Sequence, residues 1–300
     1  MPSPIIVHHK AALDSWPFPP NSLEAVRACL EADALFIEID VLPLRRDDYL
    51  LVHDFTLEDE TTGTGEVSAL TPDDARTLFI RDHDVVMPQR PPLLSDVVGL
   101  LCEFGGAARL QIDYKAVFPM GDDEPLRRLI NLIKPLGERV IVSTGADWHL
   151  RALRRLAPWL DLGFDIGFYL DYRPNGSDPR LPPHKQGAYG YHDDHLLSVM
   201  RLQPTADYLA LRCDALLHAF PSASVWYVNH HLLAHVLDDG FNMADWLHTH
   251  NVRLDAWTLD ADNQAAAEHA PRLLAAGVDL FTTNTPAALA ALLTQKRHAE

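Results

Sequence analysis

The chain has 300 residues, of which 47% are apolar and 22% are charged. These proportions are ordinary for a globular protein and exclude a disordered or fibrous chain. Lysine and arginine number 25 against 42 aspartates and glutamates, so the formal net charge is −17. Because nucleic acids and anionic membranes attract basic surfaces, this balance argues against nonspecific binding to either. An anionic substrate would need a local source of positive charge.

Cysteine usage favours a reducing compartment. Cys29, Cys102 and Cys213 are odd in number, far apart and outside any Cys-x-x-Cys pattern, which excludes a disulfide scaffold. The N-terminal residues do not read as a secretory leader, and no apolar run approaches the ~18 residues of a membrane span. We therefore expect a cytoplasmic protein without integral membrane association. The oligomeric state is not indicated.

Short apolar runs recur along the chain, with amphipathic segments between them. The runs are continuous rather than alternating, which is typical of parallel strands covered on both faces. The predicted strands are 4–8, 35–41, 49–53, 110–115, 140–144, 160–166, 208–212, 252–259 and 280–283. The predicted helices are 22–32 (capped by Asn21 or Ser22), 126–136, 148–157, 242–250, 262–276 and 285–293.

Eight strands alternate with helices if 49–53 is the return strand of a hairpin after 35–41. This count predicts an α/β fold of a single domain over residues 1–300, a (β/α)8 TIM barrel with parallel strands. An open doubly wound sheet is the alternative, although no Gly-x-Gly-x-x-Gly turn follows the first strand. The loop 171–195 would follow the fifth strand on the active-site face of a barrel, or it is a solvated insertion.

Paired charged residues mark two of the predicted strands. Glu38 and Asp40 are two residues apart, so both carboxylates lie on one face of a strand. Their apolar neighbours predict burial, and two buried like charges need a cation or a proton. Asp113 and Lys115 repeat the spacing, although alone they would be a structural ion pair. Together the three carboxylates suit Mg²⁺ or Ca²⁺ rather than zinc.

Histidines close two of the predicted strands. His8 and His9 end the first strand, and His53, followed by Asp54, ends the hairpin strand. Beside a divalent cation and a lysine, two histidines can supply general acid–base chemistry on a phosphate ester. Since the chain has 16 histidines, any one of them is weak evidence.

Two further histidines occupy a predicted helix. His231 and His235 are four residues apart and could clasp a zinc ion. Leu232 stands where a His-Glu-x-x-His motif has its glutamate, so a zinc protease is not expected.

In their order along the chain, these residues resemble the glycerophosphodiester phosphodiesterase family, and the likeness covers nearly the whole sequence. Six motifs of the family resemble segments of this chain. Residues 8–10 resemble its His-Arg-Gly motif, 19–22 its Pro-Glu-Asn-Thr motif and 38–40 its Glu-x-Asp motif. Residues 53–54 resemble its His-Asp motif, 61–65 its Thr-Thr-Gly-x-Gly motif and 113–115 its Glu-x-Lys motif. Later segments of the family resemble 91–94, 256–259, 277–279 and 283–286. The ordered set is specific, and the family's TIM barrel agrees with the strand count.

The resemblance implies roles for the charged residues. Glu38, Asp40 and Asp113 would hold one divalent cation, and His8 and His53 would be the acid–base pair. The positions that would bind the substrate, a small-molecule phosphodiester, are His9, Lys115 and Trp257. Lys115 would neutralise charge on the phosphate, whereas Trp257 also suits packing in the barrel core.

Several residues depart from the family pattern. His9 stands in place of an arginine, so a permanent phosphate clamp becomes an imidazole that titrates near neutrality. Lys10 stands in place of a glycine and Pro20 in place of a glutamate. Asp113 is shorter than the family's glutamate, and Asn284 replaces an aspartate. These departures predict an altered diester substrate.

The leading hypothesis is a metal-dependent hydrolase that cleaves glycerophosphodiesters to glycerol 3-phosphate and an alcohol. One alternative is a lipid phosphodiesterase or lyase of the same barrel type, which would give a cyclic phosphate. Another is a catalytically inactive barrel that binds phosphorylated ligands. A glycosidase is disfavoured, because Glu38 and Asp40 sit side by side and cannot flank a scissile bond.

Overall fold

A computed structural model describes residues 4–14, 18–119, 121–172 and 185–297. Eight parallel strands, β1 to β8, form its main sheet. They are Ile5–His8, Phe36–Pro43, Arg109–Tyr114, Val140–Thr144, Asp161–Asp165, Val225–Asn229, Arg253–Trp257 and Leu280–Thr283. Their order in the sheet is β1-β8-β7-β6-β5-β4-β3-β2, and β2 pairs back onto β1, so the sheet closes into a barrel. The predicted TIM barrel is confirmed.

Helices alternate with these strands in the described part of the chain. The helices α1 to α10 are Leu23–Glu31, Pro72–Ala75, Leu94–Phe104, Glu124–Ile133, Asp147–Leu156, Thr205–Ala219, His230–Asp238, Met243–His248, Gln264–Ala275 and Pro286–Arg297. The predicted cap of α1 is confirmed, since the Ser22 side chain accepts the Ala25 N–H. Among the residues described, no helix has the length and apolarity needed to cross a bilayer.

The sixth barrel strand is not where the sequence predicts it. Residues 208–212, predicted as a strand, lie inside α6, and the strand itself is Val225–Asn229. A short apolar run fits a strand and a buried helix segment equally well, and burial in α6 follows a helical repeat. The buried residues of α6 are Tyr208, Leu209, Arg212, Cys213 and Leu216. In β6, four consecutive residues are buried, as a strand covered on both faces requires.

The chain divides into two compact units. One comprises Met1–Ile6, Gly145–Asp147 and Leu162–Glu300, and the other comprises Val7–Thr144 and Trp148–Asp161. The single domain expected for residues 1–300 stays a prediction.

A hairpin follows β2 in the second unit. Tyr49–Leu50 returns antiparallel to the end of β2, so the predicted hairpin is confirmed over a shorter strand. An apolar cluster lies around this hairpin and the loop after it. Its buried members are Leu42, Leu44, Leu50, Val52, Leu57, Val67, Ala75 and Leu93. Each buried leucine contributes about 1.5–3 kcal/mol, so the cluster fixes the loop that carries His53.

The long loop 171–195 lies partly outside the described residues, which stop at Tyr172 and resume at Lys185. Its described parts, Lys185–Gln186 and His192–Asp193, form a small antiparallel sheet with Leu170–Asp171.

A buried ion pair anchors the later part of this loop. Nε of Arg212, on α6, donates to Oδ2 of Asp193 at 2.7 Å, and both side chains are at most 3% exposed. The Tyr208 hydroxyl donates to the same carboxylate oxygen. The described end of the loop is therefore anchored to α6.

Candidate active site

The predicted carboxylates meet where β2 and β3 pair. Asp40 lies opposite Asp113 in the parallel register, and Glu38 lies opposite Gln111. One oxygen each of Glu38, Asp40 and Asp113 lies within 4.8 Å of the others. The first two residues are buried and the third is half-buried. The structure thus brings the three residues together, as the strand spacing predicts.

Two lysines form ion pairs with Asp40, one with each oxygen of its carboxylate. Nζ of Lys115 lies 3.0 Å from Oδ1 of Asp40 and 2.5 Å from Oδ2 of Asp113. Nζ of Lys10 lies 3.1 Å from Oδ2 of Asp40. Asn21 also holds this residue, because its amide donates to Oδ2 at 3.1 Å and its carbonyl accepts the Asp40 N–H at 3.2 Å. Asp40 is the most heavily contacted carboxylate of the three.

Lys10 reaches the carboxylates through an unusual backbone turn. Its φ is 52°, in the left-handed region that side chains other than glycine rarely adopt. The turn directs its N–H to Oε2 of Glu38 at 2.7 Å while its side chain contacts Asp40. This conformation explains why a glycine would suit the position. A lysine there adds a positive charge to the cluster.

The charges of the cluster do not balance. Burial, together with the neighbouring Asp40 and Asp113, raises the pKa of Glu38 well above its ordinary value. Burial also acts to raise the pKa of Asp40, but Lys115 and Lys10 outweigh it and hold that pKa well below its usual range. Two ammonium groups therefore leave one of three carboxylates without a compensating charge.

The missing positive charge bears on whether the residues fit a divalent cation. An added cation would compensate Glu38, and three carboxylates are the hard oxygen ligands that Mg²⁺ and Ca²⁺ prefer. Oδ1 of Asp40 is buried and accepts no hydrogen bond within the described residues, although Lys115 lies beside it. Donor chemistry and charge both fit the cation that the sequence predicts.

His8 lies at the end of β1 with a defined tautomer. Its Nδ1 donates to the Ala12 carbonyl at 2.8 Å, since a carbonyl can only accept. In the neutral ring the lone pair is therefore on Nε2. Burial lowers the pKa of His8, which favours this neutral form. Beside it, Nε2 of His9 lies 4.0 Å from Oε2 of Glu38.

His53 is fixed by two acidic residues of its own loop. Its Nδ1 donates to Oδ1 of Asp54 at 2.8 Å. Oε2 of Glu60 accepts the backbone N–H groups of both His53 and Asp54, at 2.7 and 2.9 Å. The ring is thus oriented by a carboxylate.

Sequence reasoning missed several supporting residues. The sequence does not predict Asn21 or Glu60 as site residues, and Lys10 stands out in it only as a departure from the family pattern. A signal existed for Asn21, because asparagine tolerates the left-handed conformation that it adopts here, with a φ of 55°. Nothing in the sequence marks Glu60 among its acidic neighbours.

Two other sequence hypotheses concern the unit that contains Leu162–Glu300. Trp257 ends β7 half-buried, and its Nε1 has no hydrogen-bond partner in the described chain. Its contact with substrate stays a prediction. The suggested zinc pair of His231 and His235 stays a prediction, and the His235 ring stacks on Tyr172 with centroids 3.8 Å apart. His231 groups with other histidines.

Comparison with known proteins places this chain in a family. The model of the glycerophosphoryl diester phosphodiesterase family matches residues 9–288. The chain therefore belongs to the glycerophosphoryl diester phosphodiesterase family. A glycerophosphodiester phosphodiesterase of Caldanaerobacter subterraneus subsp. tengcongensis is 30% identical over 164 residues. This match covers 53% of the chain and 65% of the relative, less than two thirds of its length.

Solved structures agree in fold. A Silicibacter pomeroyi protein provisionally classed as a glycerophosphoryl diester phosphodiesterase is 17% identical, with a TM-score of 0.69 over 98% of this chain and 95% of that one. An Oleispira antarctica phosphodiesterase, solved with the product sn-glycerol-3-phosphate, is 14% identical, with a TM-score of 0.64 over 98% and 97%. At these identities the likeness is one of fold.

Proposed function

We propose that the protein is a metal-dependent phosphodiesterase that cleaves glycerophosphodiesters to glycerol 3-phosphate and an alcohol. The observation that carries this proposal is the cluster of Glu38, Asp40 and Asp113, with Lys115 ion-paired inside it, in a barrel of this family. The named activity of the Caldanaerobacter relative supports the same reaction. A cytoplasmic location is also proposed, and the free thiols of Cys29, Cys102 and Cys213 support it.

The proposed cation site consists of the three carboxylates. Mg²⁺ or Ca²⁺ bound there would polarise a nonbridging phosphate oxygen of the substrate. Lys115 would face the same phosphate and stabilise the charge that develops on it. Its strong pairing with Asp40 and Asp113 keeps the ammonium group in place before substrate binds.

The two histidines would divide the acid and base roles. His8 suits the base, because its Nδ1 is committed to Ala12 and a lowered pKa keeps Nε2 available for a proton. His53 suits the acid, because the Asp54 carboxylate orients its ring through Nδ1 and leaves Nε2 to deliver a proton. The attacking group is either water or a neighbouring substrate hydroxyl, and the second would give a cyclic phosphate.

Two further residues, His9 and Trp257, are proposed to contact the substrate. His9 stands beside Glu38 and would contact the phosphate when its imidazole is protonated. Trp257 would offer an aromatic face to the alcohol group. Because His9 replaces a permanent charge, the preferred diester is proposed to differ from the usual glycerophosphodiesters of the family.

The second candidate function is binding without turnover. The Lys10 ammonium lies on Asp40, one of the proposed cation ligands, and so competes electrostatically with the cation. A barrel with a weakened cation site could still bind phosphorylated ligands. Ligand binding with no product would identify this case.

Product release from a panel of glycerophosphodiesters tests the proposal. The wild-type chain is assayed with Mg²⁺, with Ca²⁺ and with chelator, beside Glu38→Gln and the exposed control Glu103→Gln. We expect metal-dependent release of glycerol 3-phosphate that falls by about 100-fold or more in Glu38→Gln and persists in the control. Absence of release from every diester, with the cation bound, would contradict the proposal and favour a lipid substrate or simple binding.

A further inference from the structure

Three histidines cluster in the unit that contains Leu162–Glu300. His230 and His231 are the first residues of α7, and His269 lies in α9, which packs against α7. One ring nitrogen of each lies within 4.8 Å of the others. The closest contact joins Nδ1 of His230 to Nδ1 of His269 at 2.8 Å. None of these residues belongs to the carboxylate cluster.

The fold brings the three rings together from two separate helices. The helix α7 begins directly after β6, and the Asn229 side chain caps it by accepting the His231 N–H at 2.8 Å. His230 is only 5% exposed, whereas His231 and His269 are half-buried. Ring centroids are 5.1 Å apart for His230 and His269, and 5.4 Å apart for His231 and His269. An ion could therefore reach the group from solvent.

Burial favours the neutral form of two of the three imidazoles. Burial, with the neighbouring His231 and His269, lowers the pKa of His230 to about 3. Burial also lowers the pKa of His269, where His231 and Arg272 act in the same direction and Glu268 and Asp238 oppose them. A neutral imidazole is the form that ligates metal ions, so little proton release is needed at neutral pH.

We propose that His230, His231 and His269 form a binding site for a transition-metal ion of the zinc class. Imidazole nitrogens suit Zn²⁺, Cu²⁺ and Ni²⁺, whereas Mg²⁺ and Ca²⁺ prefer oxygen. Three protein nitrogens leave a fourth tetrahedral position for water, as in zinc sites with an open coordination position.

The present geometry is close to what such an ion requires. With Zn–N bonds of about 2.0–2.1 Å, tetrahedral ligand nitrogens lie roughly 3.3 Å apart. The 2.8 Å contact between His230 and His269 must therefore open by roughly half an ångström. In the absence of metal, one ring donates the Nδ1 proton and the other accepts it. Metal binding replaces this hydrogen bond and joins α7 to α9.

Zinc titration of the untagged, full-length chain tests the site. The protein is stripped with chelator and then held in excess Mg²⁺, which would compete with zinc for the proposed carboxylate site. The variants are His269→Gln and His231→Gln, both at half-buried positions, with His218→Gln as the control. His218 is a suitable control because its side chain is 76% exposed and lies outside the cluster.

The expected result is one equivalent of tightly bound Zn²⁺ in the wild-type chain and in His218→Gln. Affinity should fall at least roughly tenfold in both cluster variants, and zinc should raise Tm only where it binds. Co²⁺ in place of zinc should give the visible absorption of a nitrogen-ligated tetrahedral ion in the wild-type chain. Equal zinc affinity in all four proteins, or a cobalt spectrum typical of oxygen ligands, would overturn the proposal. If the variants fail to fold, the cobalt spectrum of the wild-type chain decides.

Discussion

Nζ of Lys10 lies 3.1 Å from Oδ2 of Asp40, so a permanent positive charge contacts a carboxylate of the proposed cation site. The lysine occupies a left-handed turn, with a φ of 52°, and Asp40 is fully buried beside it. The contact partly neutralises the cluster before any cation binds. Lys10 should therefore set how tightly the protein holds a divalent ion.

Replacement of Lys10 by glycine should tighten cation binding. Removal of a unit charge a few ångströms from the ligands favours the cation by several kcal/mol at most, and we expect roughly a tenfold or larger gain in affinity for Mg²⁺ or Ca²⁺. Glycine also relieves the left-handed backbone, which costs about 1–2 kcal/mol for other residues. Calorimetric titration of Lys10→Gly measures the gain. Lys10→Arg keeps the charge and should keep the wild-type affinity; a similar gain in Lys10→Arg would rule out an electrostatic cause.

Substitution at Asp54 should impair turnover more than substrate binding. The carboxylate orients the His53 ring through Nδ1, so Asp54→Asn should allow the wrong tautomer and lower kcat by about 10²–10⁴-fold, with KM little changed. Steady-state kinetics on an active diester provide the measurement, and Asp59→Asn is an exposed control on the same loop. Near-full activity in Asp54→Asn or in His53→Ala would remove His53 from the acid–base pair.

Removal of one partner from the buried pair of Arg212 and Asp193 should lower the free energy of unfolding strongly. Arg212→Met leaves the Asp193 carboxylate buried without its cation, at an expected cost of about 3–5 kcal/mol in the free energy of unfolding. Arg76 and Asp96 provide the contrast, because the Arg76 side chain is 53% exposed. Arg76→Met should cost about 1 kcal/mol or less. Chemical denaturation compares them; equal costs would show that burial of the first pair is unimportant.

Stability should fall on acidification because of His230. Its pKa is lowered from 6.5 to about 3 in the folded chain, chiefly by burial. Below about pH 6.5 the unfolded chain therefore binds a proton that the folded chain excludes. The free energy of unfolding should decrease by up to about 1.4 kcal/mol for each pH unit lost, and the effect should be absent above that range.

A comparison of wild-type chain and His230→Gln isolates this effect. Urea unfolding is measured at about pH 7 and about pH 5, with chelator present so that no metal protects the histidines. The difference in the free energy of unfolding between the two pH values should be smaller in the variant. An identical difference in both proteins would mean that His230 does not exclude its proton in the folded state.

The carboxylates could be predicted from sequence because their spacing is a property of the strand. Glu38 and Asp40 share a face by the period of two, and the parallel register then places Asp113 opposite Asp40. The contact of Lys10 with this group could not be predicted, since it depends on a positive φ at one residue. Side-chain direction at such a turn is not encoded by hydrophobic pattern.

Elements that depend on short runs or distant packing were harder to predict. Residues 208–212 are as apolar as a buried strand, and only their place within the longer helix α6 decides the assignment. The histidine cluster was missed for a different reason. His230 and His269 are 39 positions apart and meet only because α7 packs against α9.

Glu60 makes the hydrogen bonding of the His53 backbone a local matter. The contacts that position the His53 backbone and ring come from Asp54 and Glu60, within seven residues along the chain. The segment from His53 to Glu60 therefore carries its own polar contacts, and it depends on the rest of the chain for its apolar packing against Leu42, Leu44 and Leu93. The carboxylate cluster is not local in this sense, because Asp40 and Asp113 come from separate strands and meet only through the pairing of those strands.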